Sequence, residues 1–291
     1  MADFQNTIDL LGDTVVAGML VDRTLESFAD DLITDIGGSA FYNCKVLTSV
    51  NIPNATSMGV NTFYGCSALA SVDLPKVTTI GANVFYECRA LTSVNIPNAT
   101  NVDTYAFYMC KALTSVDIPN VTAIGGYAFQ GCSALTSVNI PNAKYIYTTA
   151  FQSCAFTSID MPNVTSLASN VFSACKNLAS VNMPKVPKVE GNTFYNCQKL
   201  TSIDMPNVTS IGNAAFSNCI NLNTIVLRKA QVCTLNHIAA FNSTPYASGG
   251  TGGTVYVPQA LIESYQNATN WSTLYAAGTC NFVAIEGSEY E

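Results

Sequence analysis

Cysteine is the reactive residue that recurs most regularly in this chain of 291 residues. Nine of the 11 cysteines stand 22 residues apart, with one interval of 21, at Cys44, Cys66, Cys88, Cys110, Cys132, Cys154, Cys175, Cys197 and Cys219. Zinc needs ligands that converge on a tetrahedron, whereas a repeating column spreads its thiols along a line. Disulfides suit the pattern poorly, because the number of cysteines is odd and stacked neighbours point the same way. We therefore predict thiols that pack as small apolar side chains in a core.

A catalytic cysteine would need a base, and the chain has one histidine. His237 follows Cys233 by four residues, which makes this thiol–imidazole pair the one nucleophile–base arrangement on offer. A lone histidine beside apolar neighbours is more often a packed, hydrogen-bonded residue. The stretch "SGGTGGT" at 248–254 lacks the lysine of a phosphate loop and is interpreted as a flexible connection. We predict that the protein is not an enzyme and uses no cofactor or metal.

Carboxylates and amides alternate at one position of the repeat: Asn51, Asp73, Asn95, Asp117, Asn139, Asp160, Asn182 and Asp204. Neighbouring strands lie about 4.8 Å apart, so adjacent carboxylates would repel, whereas an intervening Asn separates them and can donate to both. We favour this structural interpretation, in which the alternation avoids charge repulsion and reflects duplication of a two-repeat unit. The functional alternative is a row of acceptors for cations or sugar hydroxyls, which makes Asp73, Asp117, Asp160 and Asp204 candidate contacts on a sheet face. A serine column, from Ser49 to Ser202, runs beside this row.

Tyrosines follow the repeated phenylalanine in four successive repeats, at Tyr42, Tyr64, Tyr86 and Tyr108, and again at Tyr195. The rings could lie over one another, half covered and with wet hydroxyl groups, or they could form a contact surface. Rigid aromatic side chains lose little rotamer entropy on binding, so a tight protein contact should use the first four. A weak, multivalent glycan contact could instead use the sheet face.

The cysteines belong to a longer repeated pattern. Phe stands three residues before each of them and Leu three after, except that Phe156 replaces the Leu in the shortened repeat. The stretch "LTSVNIP" predicts a short strand with Val50 and Ile52 facing the core, ended by Pro53. The stretch "VTTIGANVFYEC" predicts one tight helical or 3-10 turn. In the shortened repeat we expect a local irregularity near Ala155.

A unit of one strand and one turn cannot cover its own apolar face, so copies must stack, and 22 residues lies within the range of leucine-rich repeats. We predict an α/β fold, a leucine-rich-repeat solenoid with 22-residue repeats, one parallel strand per repeat and caps at both ends. A right-handed β-helix is the competing architecture. It would need two or three strand-like stretches per turn, and only one alternating stretch is visible.

Charge divides the chain into three segments. Residues 1–35 hold eight acidic residues and Arg23, and we expect an acidic N-terminal cap there. Residues 36–228, the predicted repeats, hold seven acidic and ten basic residues, and residues 229–291, the predicted C-terminal cap, hold four acidic residues and Lys229. The basic residues lack the clustering that nucleic-acid binding needs, so we expect no nucleic-acid partner. No apolar run is long enough for a membrane span, and the first residues lack the basic region of a secretory signal.

The pattern L-x-x-V-x-I-P-x-x-T-x-I-G-x-x-A-F-x-x-C resembles the BspA-type leucine-rich repeats of bacterial surface proteins, over about Ile36 to Leu227. The end of the chain resembles the segment that often follows such repeats, with Val257, Pro258, Tyr265 and Trp271 at matching positions. The resemblance implies surface display on a bacterium or bacteriophage and adhesion to a host protein or glycan. It brings no catalytic residues. Two alternatives stay open. The protein could be a structural subunit that binds further copies of itself, and it could be located in the cytoplasm.

Overall fold

The computed structural model describes residues 14–15 and 24–291. The chain forms two compact units, Met1–Asn142 and Ala143–Glu291. Most of the predicted acidic cap lies outside the described residues. The described part of that stretch contains a strand, Ser27–Ala29, which pairs in parallel with Ser49–Asn51 of the following repeat. The cap and repeat boundaries stay a prediction.

Two rows of parallel strands, called the first and the second sheet below, build the N-terminal unit, although hydrogen bonds divide each row into smaller sheets. The first sheet uses three-residue strands, β2 (Ser27–Ala29), β4 (Ser49–Asn51), β6 (Ser71–Asp73), β8 (Ser93–Asn95), β10 (Ser115–Asp117) and β12 (Ser137–Asn139). The second uses two-residue strands, β1 (Thr14–Val15), β3 (Asp35–Ile36), β5 (Ser57–Met58), β7 (Thr79–Ile80), β9 (Asn101–Val102) and β11 (Ala123–Ile124).

The C-terminal unit repeats this plan. Its first sheet contains β14 (Ser158–Asp160), β16 (Ser180–Asn182), β18 (Ser202–Asp204), β20 (Thr224–Val226), β22 (Gly253–Val257) and β23 (Cys280–Ala284). Its second sheet contains β13 (Tyr145–Ile146), β15 (Ser166–Leu167), β17 (Lys188–Val189), β19 (Ser210–Ile211) and β21 (Thr234–Leu235). Two 3-10 helices (Ile238–Phe241 and Gln259–Leu261) and two α-helices, α1 (Ile262–Asn267) and α2 (Trp271–Ala276), lie near the end.

The solenoid of 22-residue repeats is confirmed, and the first strand lies where the alternation predicted it. The expectation of a single strand per repeat was wrong, because a second strand follows the proline. That strand has only two residues, of which one aliphatic side chain, such as Ile80 or Val102, is buried. Two residues are too few to show an alternating pattern, so the sequence gives no signal for it.

The segment between the second strand and the cysteine forms successive tight turns closed by i→i+3 bonds, so the predicted tight turn is present but no continuous helix forms. Two residues four apart adopt left-handed conformations on either side of each core Phe, for example Asn61 (φ 57°) and Gly65 (φ 70°) around Phe63. Their main-chain N–H groups donate to the next repeat, as Gly65 does to the carbonyl of Tyr86 at 2.8 Å. These inter-repeat bonds alternate with bonds inside the turn, where the Tyr64 N–H donates to the carbonyl of Asn61 and the Cys66 N–H to that of Phe63, both at 3.1 Å.

Columns of identical side chains fill the core of each unit. Phe63 and Phe85 are fully buried and stack with ring centroids 5.4 Å apart and planes 6° from parallel. The Leu residues three after each cysteine are also fully buried. In the shortened repeat Phe156 is buried and meets the ring of Phe151 edge-on at 5.5 Å, so it fills the place of the Leu. The turn that follows the cysteine in neighbouring repeats is missing at Ala155, as expected from the lost residue.

Aromatic side chains close the last repeat of the C-terminal unit. Phe241 continues the phenylalanine column at 5.7 Å from Phe216, and Trp271 packs on Phe241 at 5.8 Å. Trp271 Nε1 donates to the carbonyl of Cys233 at 2.7 Å, and the hydroxyl of Tyr265 accepts from the Cys233 N–H at 2.8 Å. The helices α1 and α2 therefore cover the end of the core and bind its last main-chain polar groups.

Candidate binding surfaces

The cysteine column is structural. All 11 cysteines are buried, and most thiols of the column donate to the carbonyl of the Phe in the preceding repeat, as Cys66 Sγ does to Phe41 at 2.9 Å and Cys110 Sγ to Phe85 at 3.0 Å. Burial raises the pKa of the Cys175 thiol from its ordinary 9.0 to about 12. A protonated, inaccessible thiol is a poor nucleophile and a poor metal ligand. The packing role predicted from the spacing is confirmed, and the hydrogen bond adds to it.

The structure does not assemble Cys233 and His237 into a catalytic pair. Cys233 is buried, and burial raises the pKa of its thiol to about 12. His237 is exposed, precedes the first 3-10 helix, and its Nδ1 accepts a hydrogen bond from the N–H of Ala239 at 3.0 Å. This places the histidine in a local helix-capping role.

The four predicted tyrosines form a tyrosine ladder on the N-terminal unit, a name used below for Tyr42, Tyr64, Tyr86 and Tyr108. Their successive ring centroids lie 4.9, 4.5 and 4.6 Å apart, and the planes of Tyr64 and Tyr86 are 2° from parallel. Tyr42 is 39% exposed and the other three are half-buried. The rings thus lie over one another and cover each other's faces. Their edges form the outer surface, so the ladder offers a partner less area than four outward-projecting rings would.

Two further tyrosines extend this aromatic surface and were not predicted. Tyr105 meets the edges of Tyr86 and Tyr108 at 6.3 and 5.6 Å, and it stacks on Tyr127 at 4.7 Å. Both occupy a left-handed position, with φ of 58° and 60°. The available signal was their placement two residues before a core Phe in consecutive repeats. Steric strain disfavours a large side chain at positive φ, so tyrosine there needs a gain from ring stacking.

The polar row on the first sheet is organised in pairs. Asn95 Nδ2 donates to Asp73 Oδ1 at 2.7 Å, Asn139 to Asp117 at 2.8 Å and Asn182 to Asp160 at 2.7 Å. Each of these amides serves the carboxylate of the preceding repeat, and the expected donation to both flanking carboxylates is not observed. Asp204 has no Asn after it and instead receives a bidentate interaction from Arg228, with Nη2 at 2.9 Å.

Main-chain pairing along the first sheet is interrupted once within each unit. In the N-terminal unit β2, β4, β6 and β8 are joined by hydrogen bonds, whereas β10 pairs with β12 and not with β8. In the C-terminal unit β14 pairs with β16, and β18 begins a separate sheet. Both breaks fall where an Asn strand precedes an Asp strand, although β4 and β6 stand in the same order, with Asn51 beside Asp73, and remain paired. Val94 and Val181, at these breaks, are half exposed, whereas the equivalent Val72 and Val116 are buried.

A shallow depression of about 420 Å³ lies on the first sheet over β4, β6 and β8. Serine hydroxyls, the Asn and Asp side chains and the edges of three valines line it. Of the four predicted sheet-face residues, Asp73 alone lines this depression, and Asp117, Asp160 and Asp204 lie on other strands. The surface can form hydrogen bonds but has no aromatic anchor.

The residues described by the structure contain no cluster of three or more His, Cys, Asp or Glu side chains placed to hold a metal ion. Within the same residues, no helix has the length and apolar character needed to cross a membrane.

Comparisons with known proteins agree with the repeat pattern. A leucine-rich cell surface protein from Faecalibacterium prausnitzii A2-165 superposes with a TM-score of 0.55 at 24% identity, over 91% of this chain and 89% of that chain, which shows a shared fold. A leucine-rich repeat protein from Bacteroides ovatus has a TM-score of 0.38 at 19% identity over 89% and 92% of the two chains. The T. pallidum leucine-rich repeat protein has a TM-score of 0.43 at 23% identity over 72% and 78%. No curated protein sequence matches significantly.

The family model described as the BspA type leucine-rich repeat region, six copies, matches residues 34–155, 100–223 and 144–246. Together these matches span well over half of the sequence. Repeats of this type generally serve as non-enzymatic binding scaffolds. The chain belongs to the BspA-type leucine-rich repeat family.

Proposed function

We propose that this protein is a non-enzymatic adhesion or recognition module that binds a protein partner through the tyrosine ladder of its N-terminal unit. The ordered stack of Tyr42, Tyr64, Tyr86 and Tyr108, extended by Tyr105 and Tyr127, supports this proposal. Aromatic side chains held by their neighbours have little rotamer freedom left to lose, so a partner gains contact at a small entropic cost. The hydroxyl groups of the ladder tyrosines add one donor and acceptor in each of their four repeats.

A surface location on a bacterium or bacteriophage particle is part of the proposal. The F. prausnitzii protein is described as a cell surface protein, and its likeness to this chain supports a similar setting. An adhesion module needs a stable scaffold and no catalytic residues. The stacked columns of buried side chains, which include the thiols, supply such a scaffold.

The proposal is tested by comparing binding of the wild-type chain and two double variants to an array of extracellular proteins. Tyr64→Ser with Tyr86→Ser removes the middle of the ladder, and Tyr64→Phe with Tyr86→Phe keeps the rings and removes the hydroxyl groups. We expect the Ser variant to lose at least tenfold in affinity, which corresponds to about 1.4 kcal/mol. The Phe variant should retain part of it. Unchanged binding by the Ser variant would contradict the proposal, and a signal from the immobilised protein itself would instead indicate self-association.

A second candidate is weak glycan binding on the first sheet, favoured by the depression over β4, β6 and β8. Its Ser, Asn and Asp side chains match sugar hydroxyls, but each such bond contributes only about 0.5 to 1.5 kcal/mol net. Asp73→Asn removes the one charge that lines the depression while keeping the size of the side chain. A glycan array on which this variant loses binding, while the tyrosine variants do not, would favour this surface over the ladder.

A further inference from the structure

The stacked tyrosines of the N-terminal unit have a geometry that suits covalent coupling. Four pairs are stacked, with centroid distances of 4.5 to 4.9 Å and planes within 17° of parallel: Tyr42–Tyr64, Tyr64–Tyr86, Tyr86–Tyr108 and Tyr105–Tyr127. Each pair joins consecutive repeats. In each pair a phenol in one repeat therefore faces a phenol in the next.

We propose that the stacked tyrosines are a site of oxidative cross-linking, at which dityrosine bonds join consecutive repeats. A one-electron oxidant, such as a haem peroxidase supplied with hydrogen peroxide, takes one electron from each phenol, and each hydroxyl releases its proton. The two phenoxyl radicals join through the ring carbons next to the oxygens. The hydrogen displaced from each of these carbons then moves to the oxygen and restores the aromatic ring. Two phenols and one peroxide thus give one dityrosine and two water molecules.

Three features of the ladder favour this reaction. The new bond forms from orbitals perpendicular to the rings, and in a parallel stack these orbitals point at the neighbouring ring. Burial raises the pKa of Tyr86, and so do the nearby Tyr64, Tyr108 and Glu87 side chains and a hydrogen bond with Tyr64, which joins the hydroxyl groups of Tyr64 and Tyr86. The ring edges remain partly exposed, which lets a small oxidant reach them.

Other oxidisable side chains are better protected. Among the described residues all cysteines are buried, which keeps oxidants away from them, and burial raises the pKa of thiols such as that of Cys110, which therefore react slowly with oxidants. Trp271 is fully buried. Tyr145, Tyr147 and Tyr195 are at least as exposed as the half-buried ladder tyrosines, but none has a ring contact in the described part of the chain. A radical on one of these has no adjacent phenol with which to couple. Tyr256 and Tyr290 do meet, at 4.6 Å, but their planes are 51° apart instead of parallel.

The experiment irradiates the folded protein with tris(bipyridine)ruthenium(II) and persulfate, a small one-electron oxidant system, at low protein concentration. The monomer fraction is isolated, its dityrosine fluorescence is measured, and the linked peptides are identified by mass spectrometry. The ladder variant carries Tyr64→Phe, Tyr105→Phe and Tyr108→Phe, which keeps every ring but leaves no two phenols of the four stacked pairs in contact. The matched control carries Tyr145→Phe, Tyr147→Phe and Tyr195→Phe.

We expect wild-type monomer to contain dityrosine that links stacked tyrosines of adjacent repeats. The control variant should match the wild type, and the ladder variant should lose at least tenfold of the fluorescence while its thermal unfolding stays cooperative. Equal dityrosine in the monomers of both variants would overturn the proposal. Dityrosine found only between molecules, or linked peptides that map outside the stacked pairs, would overturn it as well.

Discussion

At the scale of single residues, the turns depend on two left-handed positions in every repeat. Some are filled by residues suited to them, such as Asn61 and Gly65, but others hold Ala174, Ala214 or Thr149. An L-residue with a Cβ in the left-handed region costs about 1 to 2 kcal/mol relative to the right-handed form. The repeat tolerates this strain because the main-chain bonds to the next repeat hold the turn in place.

Ala214→Gly is therefore expected to keep or raise stability. The change relieves the strain at φ 55°, and the extra freedom of Gly in the unfolded chain offsets about half of the gain, which leaves roughly 0 to 1 kcal/mol. The neighbouring Ala215 is fully buried, so Ala215→Gly should destabilise by about 1 to 2 kcal/mol. Urea unfolding of both variants measures the difference. Equal losses of stability would show that the left-handed conformation carries no strain.

At the scale of structural elements, stacked side-chain columns hold the repeats together and the C-terminal aromatic cluster ends them. Trp271 joins Phe241, Tyr265 and Phe282 through ring contacts of 5.8 to 5.9 Å and also binds the Cys233 carbonyl. A solenoid end without such a cover would expose both the apolar core and unpaired strand edges. The cluster thus covers the apolar core at the end of the last repeat.

Trp271→Ala should cost about 3 to 5 kcal/mol and promote aggregation, since it opens a cavity next to Phe241 and leaves the Cys233 carbonyl without its donor. Tyr275→Ala, in the same helix, removes a side chain that is 42% exposed and serves as the control, with an expected effect below about 1 kcal/mol. Thermal melts measure the loss of stability, and light scattering measures aggregation. Similar melts for both variants would mean that the tryptophan is not needed to cover the core.

At the scale of the whole molecule, the repeated thiols make stability depend on pH. Burial raises the pKa of Cys175, Cys233 and Cys280 from 9.0 to about 12, and that of Cys88 and Cys110 well above 9.0. In the unfolded chain these thiols ionise near pH 9.0, whereas in the folded chain they stay protonated until about pH 12 at Cys175. The folded state binds more protons in this window. Its stability is fully present below pH 9.0 and falls as the pH rises through the window.

The expected result is a steep loss of unfolding free energy above pH 9.0, by up to about 1.4 kcal/mol per pH unit for each protected thiol. Urea titrations at a series of pH values measure the slope. Cys110→Ala should lower stability near neutral pH, because it removes a buried side chain and its bond to Phe85, and should also make the alkaline slope shallower by as much as one proton. A flat profile between pH 9.0 and about 11 would contradict buried, protonated thiols.

Sequence patterns identified the parts of this fold that repeat over long intervals. The Phe, Cys and Leu columns and the strand around Val50 followed from spacing and alternation, whereas the closing role of Trp271 followed from the resemblance to the segment that often ends BspA-type repeats. The two-residue strands did not, because so short a segment has no periodicity. The sequence left two interpretations of Tyr64 and Tyr86 open, stacked rings or a contact surface. Their spacing places the rings in neighbouring repeats but does not fix the direction of the ring planes. The one-sided donation of Asn95 to Asp73 also depends on side-chain torsions that no pattern encodes.

The pairing of Asp with the following Asn determines how copies of the repeat can be gained or lost. Removing residues 79–100, one 22-residue repeat, would set Asp73 beside Asp117 in the first sheet and add a repulsion of about 1 kcal/mol, more where water is excluded. Removing residues 57–100, two repeats, would set Asn51 beside Asp117 and preserve the alternation. The shorter deletion should therefore lower the melting temperature more than the longer one, even though it takes away fewer contacts. Length variation in this chain is expected to proceed in even numbers of repeats, because only a pair of repeats restores the alternation of Asn and Asp.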